Sequence, residues 1–174
     1  DSIFKNEAKG KYIITSVTYR LSKKEPEIPN YPDVVKYFTD KNISKPTLKE
    51  IREAIIFIRN NKLPDYKIMP NVGSFFKNPF VENTLVEKIK IGYPNIKIFP
   101  IDENYSKIPA GWLIENAGLK GKSFGKISIY DKNALVLVNN GQASFEDLIK
   151  AKTEIVKSVK EKFNITLDQE PETI

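Results

Sequence analysis

The stretch richest in chemically capable side chains is residues 71–79, which read Asn-Val-Gly-Ser-Phe-Phe-Lys-Asn-Pro. The hydroxyl of Ser74 can donate a hydrogen bond or a proton when a nearby cation or carboxylate tunes it. A serine, a lysine and an asparagine placed among glycine and aromatic residues could converge on one ligand. The structural alternative is a loop that its two phenylalanines anchor to the core, and spacing alone favours that alternative.

Three further places carry groups that could act on a ligand. Lys62 ends a predicted helix ahead of Leu-Pro-Asp, and a helix C-terminus favours a cation, so a capping role is the simpler interpretation. Residues 109–121 predict tight packing around Trp112, the sole tryptophan. Residues 167–172 hold three carboxylates, which are solvated tail charges unless the fold brings one of them against the Ser74 loop.

Composition limits the chemistry that the chain can perform. Cysteine and histidine are both absent, which excludes disulfides, thiolate catalysis and the usual metal ligands and general base. We therefore expect no metal site and chemistry based on Ser, Lys, Tyr or carboxylates. A net charge of +6 suits an anionic partner such as a nucleotide diphosphate, a nucleic acid or an acidic membrane. Because most lysines alternate with acids, no dense basic stripe for nucleic acid is visible.

Patterning of apolar residues predicts an α+β fold. Residues 12–21 alternate as a strand does, and a connector rich in proline and charge follows them. Thr47 and Glu50 form the capping box of a helix over 48–60, and Ser144 and Asp147 cap a long helix. The other predicted elements are a helix over 81–90, a short helix at 112–114 that stops at Gly118, and strands at 135–138 and 165–167.

Length and hydropathy indicate one compact domain with a leading fragment. The chain has 174 residues, of which 40% are hydrophobic, enough to enclose a core. No apolar stretch approaches the roughly 20 residues that span a bilayer, and the opening residues do not follow the plan of a signal peptide. We therefore expect a cytoplasmic location and no membrane partner. The first strand has no obvious partner downstream, so it is interpreted as the end of a preceding domain.

Four motifs, at residues 62–65, 73–79, 109–121 and 134–139, resemble the UDP-N-acetylenolpyruvoylglucosamine reductase family in order and separation. Residues 1–5 also resemble the end of that family's second flavin-binding domain, so the resemblance covers nearly the whole chain. It implies that residues 1–22 end the second FAD-binding domain and that 23–46 form a connector. Residues 47–164 would form the C-terminal substrate-binding domain, and 165–174 would start a C-terminal return segment.

The resemblance implies an oxidoreductase of peptidoglycan synthesis. Members of that family bind FAD between two N-terminal domains, take a hydride from NADPH and reduce UDP-N-acetylglucosamine enolpyruvate to UDP-N-acetylmuramate. This chain would keep substrate contacts but, without those domains, would neither retain FAD nor turn over. The alternatives are a non-catalytic module that binds a UDP-sugar and, more remotely, a basic domain that binds nucleic acid with strong salt dependence.

The same resemblance implies roles for particular residues. Ser74 matches the serine that protonates the enol carbon. Counting without a gap from Ala134 places the catalytic glutamate at Glu170, whereas a shifted register would place it at Glu172. The implied substrate-binding residues are Tyr31, Lys62, Asn78, Phe99, Lys107 and Asn133. Of these, Phe99 stands where one branch of the family has a tyrosine, and Asn133 replaces a glutamine.

Overall fold

A computed structural model describes residues 2–173, which fall into two compact units that divide between Ile51 and Arg52. The fold is α+β, as the patterning predicts. Within residues 2–173, no helix has both the length and the apolar character required to cross a bilayer.

The first unit contains a short 3₁₀ helix, Ile3–Lys5, and helix α1, Pro32–Asp40. The strand predicted over residues 12–21 is wrong for this structure, because these residues form no strand and their apolar side chains, such as Ile13 at 90% exposure, are solvated. A lone strand leaves its backbone hydrogen-bonding groups unpaired, so alternation is not sufficient without a partner.

The segment expected to be a connector, residues 23–46, contains α1. Pro32 occupies the first helical position, where its fixed φ fits and its missing N–H costs nothing. Val34 and Phe38, four residues apart, are both buried. That spacing is the signal that could have identified the helix.

Helix α2, Leu48–Lys62, confirms the predicted helix and extends it by two residues. Its capping box is present in full. The backbone N–H of Thr47 donates to Glu50 Oε2 at 2.7 Å, and the backbone N–H of Glu50 donates to Thr47 Oγ1 at 3.3 Å. Because these bonds join near neighbours in sequence, local pattern was enough to predict them.

Two antiparallel sheets form the second unit. The first has the strand order β1-β7-β6-β5 and consists of Asn71–Ser74, Val136–Asn139, Ile127–Ile129 and Ser123–Phe124. The second has the order β2-β4-β3 and consists of Phe80–Glu82, Tyr105–Lys107 and Phe99–Pro100. Each sheet includes a strand next to the Ser74 loop, since β1 ends at Ser74 and β2 begins at Phe80.

Three helices complete this unit: α3, Asn83–Gly92; α4, Ala110–Asn116; and α5, Phe145–Phe163. Strand β2 occupies the start of the helix predicted over 81–90, so α3 begins two residues later. The Ser144 and Asp147 capping box is confirmed, and Gly118 has the predicted left-handed φ of +78°. Side chains of α4 and α5, including Leu113, Ile114 and Ile155, are fully buried in the core.

The strand predicted over residues 165–167 is not formed. Ile165 and Leu167 are buried, and the alternation therefore reflects every second side chain entering the core. Pairing begins later, at a single antiparallel bridge between Gln169 and Phe76. This bridge brings the C-terminal segment to the loop that follows β1.

Candidate functional site

Ser74 ends β1 at an irregularity in the sheet. Asn71 lies opposite Val138 and Ser74 opposite Val136, so β1 has one more residue than β7 between these pairs. Gly73 supplies the extra conformational freedom with a φ of +74°, and its N–H donates to Asn71 Oδ1 at 2.9 Å. A bulge of this kind redirects the following side chain, and Ser74 is exposed to solvent.

The backbone of Phe75 joins Ser74 to two distant segments. Its N–H donates to the carbonyl of Leu135 at 2.8 Å, and its carbonyl accepts from the N–H of Glu170 at 2.8 Å. The rings of Phe75 and Phe76 are buried and meet edge to face, with centroids 5.1 Å apart. The phenylalanines thus do anchor the loop, and the same anchoring brings Glu170 next to the residue that follows Ser74.

The segment before Glu170 is held along the same loop. The N–H of Lys77 donates to the carbonyl of Asp168 at 2.8 Å, and Gln169 bridges to Phe76. Glu170 is partly buried, whereas Glu172 is exposed. Of the two glutamates left open by the sequence, Glu170 is the one whose backbone pairs with the Ser74 loop.

Asn78 has a definite structural contact. Its side-chain oxygen accepts from the N–H of Ala110 at 2.9 Å, which caps the first turn of α4 from a distant part of the chain. Because the oxygen faces α4, the amide NH₂ is the end that can donate to a ligand. Gly111 lets α4 approach the sheet closely, since an added Cβ would lie 3.2 Å from Leu135 Cγ.

Lys107 and Phe99 are directly opposite one another in the second sheet, and Phe80 lies opposite Lys107 on its other side. Residues in register share a face, so a lysine stands between two phenylalanines. Lys107 Nζ lies 4.4 Å from the centroid of Phe80, and Lys97 Nζ lies 5.0 Å from that of Phe99. Both distances are within cation–π range.

Sequence reasoning missed Phe80 and Lys97 in this row of residues. Within residues 2–173, neither Lys97 nor Lys107 forms an ion pair with a carboxylate, so both charges can be offered to an anion. Phe80 and Phe99 are exposed although they are large and apolar. Alternation of exposed aromatics and lysines over residues 97–107 was the available signal, but their register required the sheet.

Asn133 lies in the turn that leads into β7. Its side-chain oxygen accepts from the N–H of Leu135 at 3.1 Å, and its carbonyl accepts from the N–H of Val136 at 3.0 Å. Because Leu135 also accepts from Phe75, this turn is linked to the Ser74 loop through two consecutive hydrogen bonds. The Asn133 oxygen is engaged within the turn, which leaves its NH₂ group as the donor for a ligand.

Lys62 is the last residue of α2 and is exposed, as a cation at a helix C-terminus should be. Beyond this end lies an open polar cleft of about 650 Å³, whose lining includes Arg59, Lys67 and Gly73. The cleft therefore reaches the residue immediately before Ser74. Its charged lining residues are two cations, Arg59 and Lys67, and one carboxylate, Asp65.

Tyr31 belongs to the first unit, where it precedes α1. Its carbonyl accepts from the N–H groups of Val34 and Val35, at 2.9 and 3.0 Å. Its side chain is 70% exposed, so the phenol is presented to solvent.

A flavin dinucleotide needs a slot for its ring system and donors around its phosphates. The described residues provide the polar cleft and an apolar cavity of about 320 Å³ lined by residues that include Val72, Phe75 and Phe145. No helix within residues 2–173 begins with a glycine-rich phosphate loop.

Comparison with known proteins gives a consistent result. Residues 64–174 match the model of the UDP-N-acetylenolpyruvoylglucosamine reductase C-terminal domain. A reductase of that name from Flavobacterium johnsoniae is 45% identical over the whole chain, and one from Dechloromonas aromatica is 40% identical over 98% of it. A solved reductase from Thermus caldophilus aligns with 74% of this chain and 36% of its own, with 26% identity and a TM-score of 0.41.

The chain covers 52% of each of the two curated relatives named above, so it spans about half their length. The match of the C-terminal domain model to residues 64–174 includes the Ser74 loop, the second sheet and the segment that holds Glu170. The chain therefore belongs to the UDP-N-acetylenolpyruvoylglucosamine reductase family and corresponds to a C-terminal portion of its members.

Proposed function

We propose that this chain is the substrate-binding part of a cytoplasmic reductase in peptidoglycan synthesis. The complete enzyme would use FAD and NADPH to reduce UDP-N-acetylglucosamine enolpyruvate to UDP-N-acetylmuramate. The observation that carries the proposal is the hydrogen bond from Glu170 to Phe75, which joins the two candidate catalytic segments at one place. Membership of the reductase family supports the reaction type.

The domain assignment follows the resemblance. Residues 1–22 are the end of the second FAD-binding domain, 23–46 a connector, 47–164 the substrate-binding domain and 165–174 the start of a return segment. Several apolar side chains of residues 12–21 are exposed, and an exposed apolar patch of this kind supports contact with another segment. The chain alone would lack the flavin-dependent step.

Ser74 is proposed as the general acid. Reduction of the enolpyruvyl double bond adds a hydride equivalent to one carbon and a proton to the other, and Ser74 would deliver that proton. Its position after the Gly73 bulge exposes the hydroxyl while its neighbour Phe75 is locked in the core. Glu170, fixed beside this loop, is the second catalytic group. A donor held rigidly within hydrogen-bond reach typically contributes about 10²–10⁴ in rate.

The remaining candidates are proposed to bind the charged substrate. Lys62, at the end of α2, and Lys107, on the second sheet, would bind the carboxylate or the diphosphate. Phe99 would stack against the ligand beside Lys107. Asn78 and Asn133 would donate through their NH₂ groups, and Tyr31 would contact phosphate.

A non-catalytic module that binds a UDP-sugar is the second candidate. It is supported by the same set of cations. The two candidates differ in whether Ser74 and Glu170 affect turnover once the flavin-binding part is present. Both predict saturable binding of UDP-N-acetylglucosamine enolpyruvate.

The decisive experiment measures NADPH oxidation by the full-length polypeptide that contains this chain, with the UDP-sugar as substrate. Ser74→Ala and Glu170→Gln should each lower kcat by about 10²–10⁴ while leaving the fold intact. Glu172→Gln is the matched control and should leave kcat unchanged. Normal turnover by both Ser74→Ala and Glu170→Gln would exclude the proposed catalytic roles, and loss on Glu172→Gln alone would move the second role to that residue.

Calorimetric titration of the present chain with the UDP-sugar separates binding from turnover. Saturable binding that Lys62→Ala weakens would support a preformed substrate site. If the folded chain shows no binding, the site requires segments outside this chain.

A further inference from the structure

The side chain of Gln169 connects α5 to the backbone of Pro171, the residue that follows Glu170 in the chain. Gln169 Oε1 accepts from Lys152 Nζ at 2.8 Å. Gln169 Nε2 donates to the carbonyl of Pro171 at 2.9 Å and lies 3.3 Å from Thr173 Oγ1. Both ends of the amide are therefore used, and the bonds reach past Glu170 in the chain.

Backbone contacts hold the near side of Glu170. Gln169 forms the bridge to Phe76, and the N–H of Glu170 donates to Phe75. Together with the bond from Gln169 Nε2 to Pro171, these contacts fix the chain before, at and after Glu170. The bridge consists of the backbone bonds of Asp168 and Glu170, so the chain is held at Asp168, Glu170 and Pro171, which restricts the backbone of Glu170.

Helix α5 is a rigid support for this arrangement. Its N-terminus has a complete capping box, and Ala151 and Ile155, which flank Lys152, are fully buried in the core. Lys152 is partly buried, so its side chain can adopt few conformations. The amide of Gln169 is thus tied to the most firmly anchored helix of the second unit.

We infer that Gln169 is a positioning residue that, with Lys152 as its anchor, holds the Glu170 carboxylate in place beside the Ser74 loop. This inference rests on the proposed catalytic role of Glu170. Gln169 has its own polar groups satisfied within the chain, so it acts through Glu170 and not on the substrate.

The physical consequence is a selective effect on turnover. A displacement of about 1 Å at a catalytic group can cost about 10²-fold in rate, whereas substrate contacts made by other residues are unaffected. Releasing the Gln169 amide should therefore lower kcat and leave KM nearly constant. A residue that only stabilised the fold would also lower the apparent kcat by reducing the active fraction. For this reason kcat is referred to the concentration of folded enzyme, and amide exchange at Glu170 supplies the separate readout.

The test compares three substitutions in the full-length polypeptide. Gln169→Leu removes the hydrogen bonds of both Oε1 and Nε2. Lys152→Met removes the donor to Gln169 Oε1 while leaving Gln169 intact. Gln169→Glu keeps an acceptor for Lys152 and loses the bonds that Nε2 donates to Pro171 and Thr173. We expect Gln169→Leu to lower kcat at least 10-fold with KM within 2-fold, Lys152→Met to act in the same direction, and Gln169→Glu to restore part of the loss.

A second measurement uses the present chain alone. Amide hydrogen exchange at Glu170 should accelerate in Gln169→Leu and in Lys152→Met, while protection of the buried turns of α5 stays unchanged. Since Lys152→Met alters only the helix surface, it tests the inference even if Gln169→Leu impairs folding.

The outcomes separate this inference from the proposed function. If Glu170→Gln abolishes turnover but Gln169→Leu and Lys152→Met leave kcat unchanged, the positioning role is overturned and the function stands. Unchanged exchange at Glu170 in both variants also overturns it. If Glu170→Gln itself leaves turnover unchanged, the catalytic role fails first, and the positioning role falls with it.

Discussion

The N–H of Glu170 donates to the carbonyl of Phe75 at 2.8 Å, one residue after Ser74. This bond links the C-terminal segment to the bulged end of β1. It makes the backbones of Phe75 and Glu170 neighbours although nearly the whole second unit separates them in sequence. The bond is the geometric basis for treating Ser74 and Glu170 as members of one site.

The side-chain oxygen of Asn78 caps α4, and this role can be separated from ligand binding. Asn78→Ala removes the acceptor for the Ala110 N–H and should lower the free energy of unfolding by about 1 kcal/mol. Asn78→Asp retains an acceptor and should keep most of the stability, but it loses the NH₂ donor and should bind the UDP-sugar more weakly. Urea denaturation and calorimetry measure the two effects. Equal stability of Asn78→Ala and the parent would show that the cap contributes nothing.

Gly73 is required by its backbone conformation. With a φ of +74°, Gly73→Ala should lower the free energy of unfolding by more than about 1 kcal/mol, because an alanine is strained there even though its Cβ would meet no atom within 4 Å. Gly92→Ala is the control, since that position at the end of α3 has neither a positive φ nor a close neighbour. It should be neutral or stabilising in urea denaturation. Equal losses from both substitutions would refute the conformational explanation.

Phe80 and Lys107 should be energetically coupled. Their cation–π contact of 4.4 Å predicts a coupling of about 0.5–1 kcal/mol in a double-mutant cycle of Phe80→Leu and Lys107→Met. The same two substitutions should weaken binding of the UDP-sugar, whereas Lys88→Met, which removes an exposed charge on α3, should not. If the effects of the two substitutions on the free energy of unfolding are strictly additive, the Phe80 ring does not hold the Lys107 ammonium.

Asp147 should make the start of α5 sensitive to acid. Hydrogen bonds from the backbone N–H and the hydroxyl of Ser144 hold the pKa of Asp147 below its usual value. A carboxyl group whose pKa is lowered by folding stabilises the folded state above its unfolded pKa, and this contribution is lost as the pH falls through the folded value. Stability should therefore decrease below about pH 4.

The Asp147 effect is measured by urea denaturation at neutral and acidic pH. Asp147→Asn should lower stability at neutral pH and reduce its pH dependence. Glu146→Gln, which removes the neighbouring acid in the same turn, is the control and should retain the acid-sensitive component. If the two variants share one pH profile, the capping bond is not its source.

Elements set by local bonds were predictable from sequence. The capping box of Thr47 and Glu50 and that of Ser144 and Asp147 each join residues three apart, so short patterns identified the start of both helices. By contrast, β2 replaced the start of a predicted helix because its pairing with β4 is nonlocal. For residues 12–21 the error is the opposite one. Their alternating pattern predicts a strand, but they have no partner strand among the described residues.

The sequence by itself determined the family, the α+β class and the identity of Ser74 as the residue most worth testing, because these depend on motifs and short-range patterns. Only the tertiary structure showed that the backbone of Glu170 pairs with Phe75 in the Ser74 loop, and that Phe80 and Phe99 flank Lys107. It also disclosed the bonds that Gln169 makes on either side of Glu170. Those relations depend on backbone pairing between distant segments, which residue spacing along a chain does not encode.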